Sequence, residues 1–292
     1  MTDRQIIVHD PGSLTTIQDR GRPGHAHLGV PRSGALDPAA ADLANRLVGN
    51  DDDAAVLETM VGGLEFTSSS ALTIAVTGAP CDVAVDGRPR ANAEPVSVGS
   101  GESVRVGPLQ WGLRCYVALS GGLDVPAVLG SRSTDTLSGL GPGPLARDDR
   151  LSVGVPTGRP RALDVSLVRR PLSPVALRFI LGPREDWFTA AAVETLTGST
   201  YTVSADSNRV GLRLEGPPLE RSRTEELESE GIVLGAIQVP ASGMPLVFLN
   251  DHPTTGGYPV VGVVAPEDLP RCAQLRPGDE VVLRPQPPTG SA

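Results

Sequence analysis

The chain has 292 residues, enough for two domains that each bury a core, and its 34 acidic against 25 basic side chains leave a net charge of −9. That balance offers no cationic surface for phosphate backbones or anionic lipid, which excludes nucleic acid and membrane as expected partners. All 25 basic residues are arginine, so the chain has no lysine for a Walker A motif, for a pyridoxal phosphate Schiff base or for covalent attachment of biotin.

The opening MTDRQIIVHD lacks the basic, apolar and small-residue regions of a signal peptide, and no run of 18 apolar residues occurs, so a cytoplasmic location is expected. Cys81, Cys115 and Cys272 are widely spaced and form no C-x-x-C pair, indicating neither a disulfide framework nor a zinc site.

Gly (34) and Pro (28) punctuate short Val-rich runs, the pattern of a mainly β chain with many turns. The first expected strand covers 5–9. Pro11 to Asp37 then reads as one long loop dense in Gly, Pro and polar residues. A helix follows over 38–48, with Asp37 as N-cap, Pro38 at the first position, Ala40, Leu43, Ala44 and Leu47 on one stripe, and Gly49 as terminator. Further strands are expected at 71–78, 82–87, 95–98, 103–107 and 114–120. The Pro- and Arg-rich stretch 155–175 reads as a linker between a domain over 1–160 and another over 175–286. In the second domain, strands are expected at 176–182, 200–204, 211–216, 235–239, 245–250, 259–265 and 280–285, and helices over 185–196 and 266–273. The tail PQPPTGSA is expected to be disordered. Two small β-barrel-like domains with a few short helices fit this order.

Two segments are rich enough in polar groups to carry chemistry. In the first, Ser33 and Gly34 precede a helix start, where free N–H groups and the dipole favour a carboxylate or phosphate. His25 and His27 can serve as metal ligands or as hydrogen-bonding groups; no third ligand stands at a recognisable spacing, and a metal is not expected. His9, at a strand end, reads as structural, and Asp19, Arg20 and Arg22 can form an internal ion pair that holds the loop. In the second, residues 235–264, two apolar strands flank Asn250–Tyr258, which brings Asp251, His252, Thr254, Thr255 and Tyr258 within a few positions, with Gly256 and Gly257 permitting close backbone approach to a ligand. An Asp next to a His can serve in proton transfer, or the stretch can be a polar hairpin tip. The chain contains no G-x-S-x-G, H-E-x-x-H or post-strand G-x-G-x-x-G motif.

These same segments, LTTIQDRGRPGHAHLGVPRSGALDPAAADLANRLVGN and TTGGYP, together with VLGSRST, ILGPREDWFT, YTVSADSNRVGLRLEG, SEGIVLGAIQVP and DLPRCAQLRPGDEV, stand in the order found in the KipA / allophanate-hydrolase-subunit-2 family, which the chain resembles up to about residue 285. The resemblance implies two cyclophilin-like β-barrel domains and a cytoplasmic enzyme complex. It implies the C-type component of a bacterial 5-oxoprolinase, acting with KipI-like (B-type) and LamB/YcsF-like (A-type) components to cleave 5-oxo-L-proline to L-glutamate with ATP hydrolysis. ATP is then the implied cofactor, used in the complex, and the activity is that of a lactam hydrolase. Related readings are a biotin-dependent carboxyltransferase for urea and a regulator that binds a KipI-like kinase inhibitor.

By block, the resemblance points to Asp251 and His27 as the proton-handling pair. Arg32 and Arg209 are the implied holders of carboxylate or phosphate, and Ser33, Gly34, Asp37, Gln238, Thr254, Thr255, Gly256, Gly257 and Tyr258 complete the substrate-binding set. Where many relatives read D-R-Q-T-T-G-G, this chain reads Asp251-His252-Pro253 before its TTGG.

Overall fold

The structure is a computed structural model that describes residues 4–161, 170–223 and 225–287. It is mainly β, and the chain divides into two compact units. One comprises Met1–Arg22, Ser33–Asp135 and Gly139–Arg170; the other comprises Pro23–Arg32, Thr136–Ser138 and Pro171–Ala292. Two short pieces of the N-terminal half, 23–32 and 136–138, thus belong to the second unit. Among the described residues no helix is long and apolar enough to cross a membrane.

The first unit contains β1 (Gln5–Pro11), β2 (Leu14–Gln18), α1 (Pro38–Val48), β3 (Val56–Met60), β4 (Leu64–Ser68), β5 (Leu72–Gly78), β6 (Cys81–Val85), β7 (Arg88–Arg90), β8 (Val96–Val98), β9 (Ser103–Leu109), β10 (Arg114–Leu119) and β11 (Arg150–Ser152). They form a six-stranded sheet ordered β11-β1-β4-β9-β6-β7 and a five-stranded sheet ordered β2-β3-β10-β5-β8. Ile6, Val8 and Phe66 of the first sheet meet Leu57, Ile74 and Val117 of the second in one core. The alternate side chains of the second sheet, Val56, Ala75, Tyr116 and Ala118, point the other way and are covered by Ala41, Ala44 and Leu47 of α1. This is why every residue of β10 is buried and RCYVAL reads as a continuous apolar run.

The helix starts and stops as its caps dictate. The Asp37 carboxylate accepts from Ala40 N–H at 3.1 Å, and Gly49 takes a left-handed conformation at the end. The expected uniform loop from Pro11 to Asp37 is not what forms, because Leu14–Gln18 pairs with β3 along its whole length. Its residues LTTIQ are buried with little alternation, so the two-residue period that marks a half-exposed strand is missing. The expected linker also differs at its start. Arg161 N–H donates to the Leu47 carbonyl, and Gly158 lies so close to Gly49 that a Cβ would stand 2.3 Å from its carbonyl oxygen. Residues 162–169 of that stretch, and 288–292 of the tail, lie outside the described residues.

The second unit contains β12 (Val175–Leu181), α2 (Ala190–Gly198), β13 (Thr200–Val203), β14 (Gly211–Glu215), β15 (Glu230–Gly231), β16 (Ala236–Gln238), β17 (Leu246–Phe248), β18 (Thr255–Gly256), β19 (Val260–Val264), α3 (Leu269–Cys272) and β20 (Glu280–Pro285). Seven of its strands close into a barrel, β12-β19-β16-β17-β14-β13-β20, with β12 and β20 running parallel at the seam. Closure pairs the strand edges within the barrel. The helix expected over 185–196 is two pieces, a 3₁₀ turn at Glu185–Trp187 and α2. Trp187 and Phe188 are both buried, Phe188 is extended, and Thr189 then restarts the helix by accepting from Ala192 N–H at 3.1 Å.

Candidate functional site in the second unit

The chain leaves the barrel after β17 into the segment from Leu249 to Tyr258. Leu249 N–H donates to the Val210 carbonyl and Asp251 N–H to the Arg209 carbonyl, so this segment runs along the residues that lead into β14. The pairing brings together side chains 42 positions apart: Arg209 donates from Nε to Asp251 Oδ2 at 3.0 Å and from Nη2 to Oδ1 at 3.1 Å. The two side chains are 2% and 0% exposed. Thr136 adds its N–H at 3.0 Å and its hydroxyl at 2.7 Å, both to Asp251 Oδ2. Both carboxylate oxygens are engaged in a dry setting, which makes Asp251 a buried, charge-assisted anchor rather than a base open to solvent.

His252 follows, 7% exposed, its ring 6.0 Å from that of Phe248. Nδ1 lies 2.7 Å from the Pro253 carbonyl. A carbonyl can only accept, so Nδ1 carries the proton and Nε2 of the neutral ring is an acceptor. Nε2 has no hydrogen-bond partner among the described residues. Burial holds the imidazole below its ordinary value of 6.5, and the like charge of Arg32 acts in the same direction, against the Pro253 carbonyl and Asp251. The folded protein therefore takes up this proton less readily than the unfolded chain. The term vanishes above the unfolded value and becomes a growing penalty as pH falls from about 6.5 through the lower folded value. Urea midpoints measured from about pH 7.5 to about pH 5 are expected to fall more in the wild type than in His252→Phe; equal falls would assign the pH dependence to other groups.

Arg32 is half-buried, and its Nε is buried without a hydrogen-bond partner. Among the described residues its guanidinium has no ion pair, in contrast to Arg209 (with Asp251), Arg184 (with Glu230) and Arg223 (with Asp186). A guanidinium that has lost water at Nε without gaining a partner there is a site for an anion.

The TTGG turn is held from two sides. Thr255 and Gly256 form β18 against β15, and Ile232 N–H donates to the Thr254 carbonyl at 2.9 Å. Buried Gln238 donates from Nε2 to the Tyr258 carbonyl at 3.1 Å, and a Cβ on Gly256 would stand 2.8 Å from that nitrogen, so a larger residue there would push on this hydrogen bond. Thr255, Gly257 and Tyr258 are exposed, and the Arg221 guanidinium stacks over the Tyr258 ring at 5.6 Å.

The first loop divides. His27 and Arg32 belong to the second unit; Ser33, Gly34 and Asp37 belong to the first. His27 is exposed, with Nδ1 3.1 Å from the Gly24 carbonyl. Ser33 is buried and accepts from Arg22 Nη1 at 3.2 Å. Gly34 has φ 95°, and a Cβ there would meet the Arg20 backbone at 2.9 Å. Asp37 caps α1 while its own N–H donates to the Tyr116 hydroxyl at 2.8 Å. His9 reads as expected, its Nε2 3.0 Å from the Thr67 hydroxyl. The ion pair open to Asp19, Arg20 and Arg22 is not what these residues form. Asp19 accepts from Ser131, Ser133 and the Arg132 and Gly21 amides, Arg20 pairs with Asp42 and Asp52, and buried Arg22 donates to Ser33 and to two carbonyls. Residues adjacent in sequence take different directions here, and each finds the partner its direction reaches.

The first unit has a polar cleft of about 630 Å³ beside the end of α1, whose lining includes Arg20, Arg46, Asp52 and Arg159. Arg20 and Arg46 are already paired with Asp52, and none of the site residues named above lines this cleft. No group of three or more His, Cys, Asp or Glu suited to a metal occurs among the described residues. Two contributors escaped the sequence reading. His252 was legible as an imidazole next to Asp251 but was not placed in the site set. Thr136 stands 115 positions from Asp251 and carries no local signal.

The chain matches the carboxyltransferase domain family, subdomain A and B, over residues 28–285. It is similar to the C-type subunit of 5-oxoprolinase from Escherichia coli (strain K12), 36% identical over 273 residues, or 92% of this chain and 87% of that protein. It is 31% identical to urea amidolyase of Lachancea kluyveri over 95% of this chain but only 17% of that protein. The crystal structure of K. lactis urea amidolyase superposes with a TM-score of 0.90 at 30% identity, over 97% of this chain and 19% of the other.

Proposed function

The chain belongs to the carboxyltransferase domain family, subdomain A and B, and from that premise we propose that it is the C-type component of an ATP-dependent 5-oxoprolinase complex. The complex would cleave 5-oxo-L-proline to L-glutamate, with KipI-like and LamB/YcsF-like proteins as partners. The observation that carries the reading is the guanidinium of Arg32, without an anionic partner among the described residues, in the unit that also holds the TTGG turn. 5-Oxo-L-proline presents one carboxylate and one lactam, and these residues supply a cation for the first and close backbone approach for the second.

Each residue does a limited job on this reading. Arg32 binds the carboxylate. Thr254, Thr255, Gly256 and Gly257 line the lactam, with Gln238 and Tyr258 holding the turn. Arg209 and Asp251 keep the Asn250–Pro253 segment in place, and their mutual bonds leave the anion-binding role to Arg32. His27, exposed and hydrogen-bonded to its own loop, keeps the role of proton carrier to solvent. The start of α1 fits a nucleotide phosphate poorly. There, where a carboxylate or phosphate was expected, the Asp37 carboxylate already takes the Ala40 amide and would repel a second anion. The nucleotide is assigned to the complex.

The test is formation of ADP and glutamate from 5-oxo-L-proline by the co-expressed subunits, with each omitted in turn. Turnover is expected with all three and lost without this chain; turnover that persists without it would overturn the reading. The likeness to urea amidolyases supports a second one, biotin-dependent carboxyl transfer to urea, with biotin carried by a lysine of another chain or domain. Urea carboxylation in the presence of such a carrier, with no 5-oxoproline turnover, would favour it.

A further inference from the structure

Beyond the carboxylate, 5-oxo-L-proline carries a ring N–H on the atom next to the one that bears the carboxylate. A protein that recognises this edge needs a cation and, close by, a neutral hydrogen-bond acceptor. Buried acceptors with an open lone pair are rare in a folded chain, because most are satisfied internally. His252 is one. The Pro253 carbonyl fixes its tautomer through Nδ1, the Phe248 ring and the fold around it leave it 7% exposed, and Nε2 has no partner among the described residues. Phe248 itself packs with Ile232, Ala236, Leu246 and Val260, so the imidazole stands on a rigid apolar floor. Arg32, whose Nε is buried and without a partner, acts on this same imidazole through its charge. The like-charged neighbour and the burial both keep the ring neutral. Asp251, the acid that acts on it, has both oxygens taken by Arg209 and Thr136.

We infer that Arg32 and His252 form one recognition pair for the N–H and carboxylate edge of a cyclic amide acid, Arg32 taking the carboxylate and His252 Nε2 accepting the ring N–H. The inference rests on the 5-oxoproline reading and makes His252 a specificity determinant outside the residues to which the sequence blocks point. A site built to accept from an N–H rejects an isostere that lacks it, since two lone pairs then face each other.

The decisive ligand is the γ-lactone analogue of 5-oxo-L-proline, in which a ring oxygen replaces the N–H without added bulk. Calorimetric titration of the assembled complex, without ATP, compares the lactam with the lactone in wild type, His252→Phe and His252→Gln. In wild type the lactone is expected to bind about three- to tenfold more weakly than the lactam. In His252→Phe the two should bind within about twofold, and in His252→Gln, whose amide oxygen can accept, part of the preference should return. The wild-type comparison requires no mutation, so a folding defect in a variant leaves that arm intact. A lactam preference that survives in folded His252→Phe, or its absence in wild type, overturns the inference while the 5-oxoproline reading stands. Failure of wild type to bind 5-oxo-L-proline at all overturns both.

Discussion

Arg209→Met is expected to destabilise the protein by about 3–5 kcal/mol, the usual cost of stripping one partner from a buried ion pair. Asp251 is 0% exposed, and without the two guanidinium bonds it retains only the amide and hydroxyl of Thr136. Two neutral donors do not compensate a carboxylate taken out of water. Adding Asp251→Leu to Arg209→Met removes the stranded charge and is expected to recover a large part of the loss, because the cost lies in the unpaired ion rather than in the missing contact. Chemical denaturation of the single and double variants reads both numbers. A single variant within about 1 kcal/mol of wild type would show that solvent reaches this carboxylate.

Arg32→Ala is expected to raise KM for 5-oxo-L-proline in the assembled complex by about 10- to 150-fold, the equivalent of about 1.5–3 kcal/mol for hydrogen bonds to a charged group. The effect belongs mainly in KM, since a carboxylate remote from the scissile bond is bound alike in ground and transition states. Arg32→Lys should restore only part of the affinity, because a point charge does not match the planar carboxylate with two parallel bonds. Steady-state kinetics with all three subunits checks this, and an unchanged KM would pass the carboxylate to another cation. The contrast with Arg209 is the informative part. Both were expected to hold the substrate's anion, yet one is bound to Asp251 and the other is without an ionic partner among the described residues.

Much of the fold was legible where local chemistry decides it. Asp37, Pro38 and Gly49 bracket α1 by capping rules that need no tertiary partner, and the helix runs over the residues they enclose. The Val-rich runs of the second half became barrel strands within a residue or two, since a strand buried on one face betrays itself by composition. Errors fell where burial erased the pattern. Leu14–Gln18 is buried almost throughout and looked like loop, and Glu185–Leu196 looked like one helix until buried Trp187 and Phe188 forced a break that Thr189 could cap.

The candidate site shows the same division. The sequence alone determined which chemical groups are available: no lysine, one TTGG turn whose glycines permit close backbone approach to a ligand, and an Asp-His pair between two apolar strands. Only the tertiary structure decided what state those groups are in. It committed Asp251 to Arg209 and Thr136, closed the start of α1 with Asp37, left Arg32 Nε buried without a partner, and fixed the His252 tautomer against the Pro253 carbonyl. The reason is physical. A side chain's charge and hydrogen-bonding state depend on its distance to groups tens of residues away and on how much water it keeps, and neither is set by its neighbours along the chain.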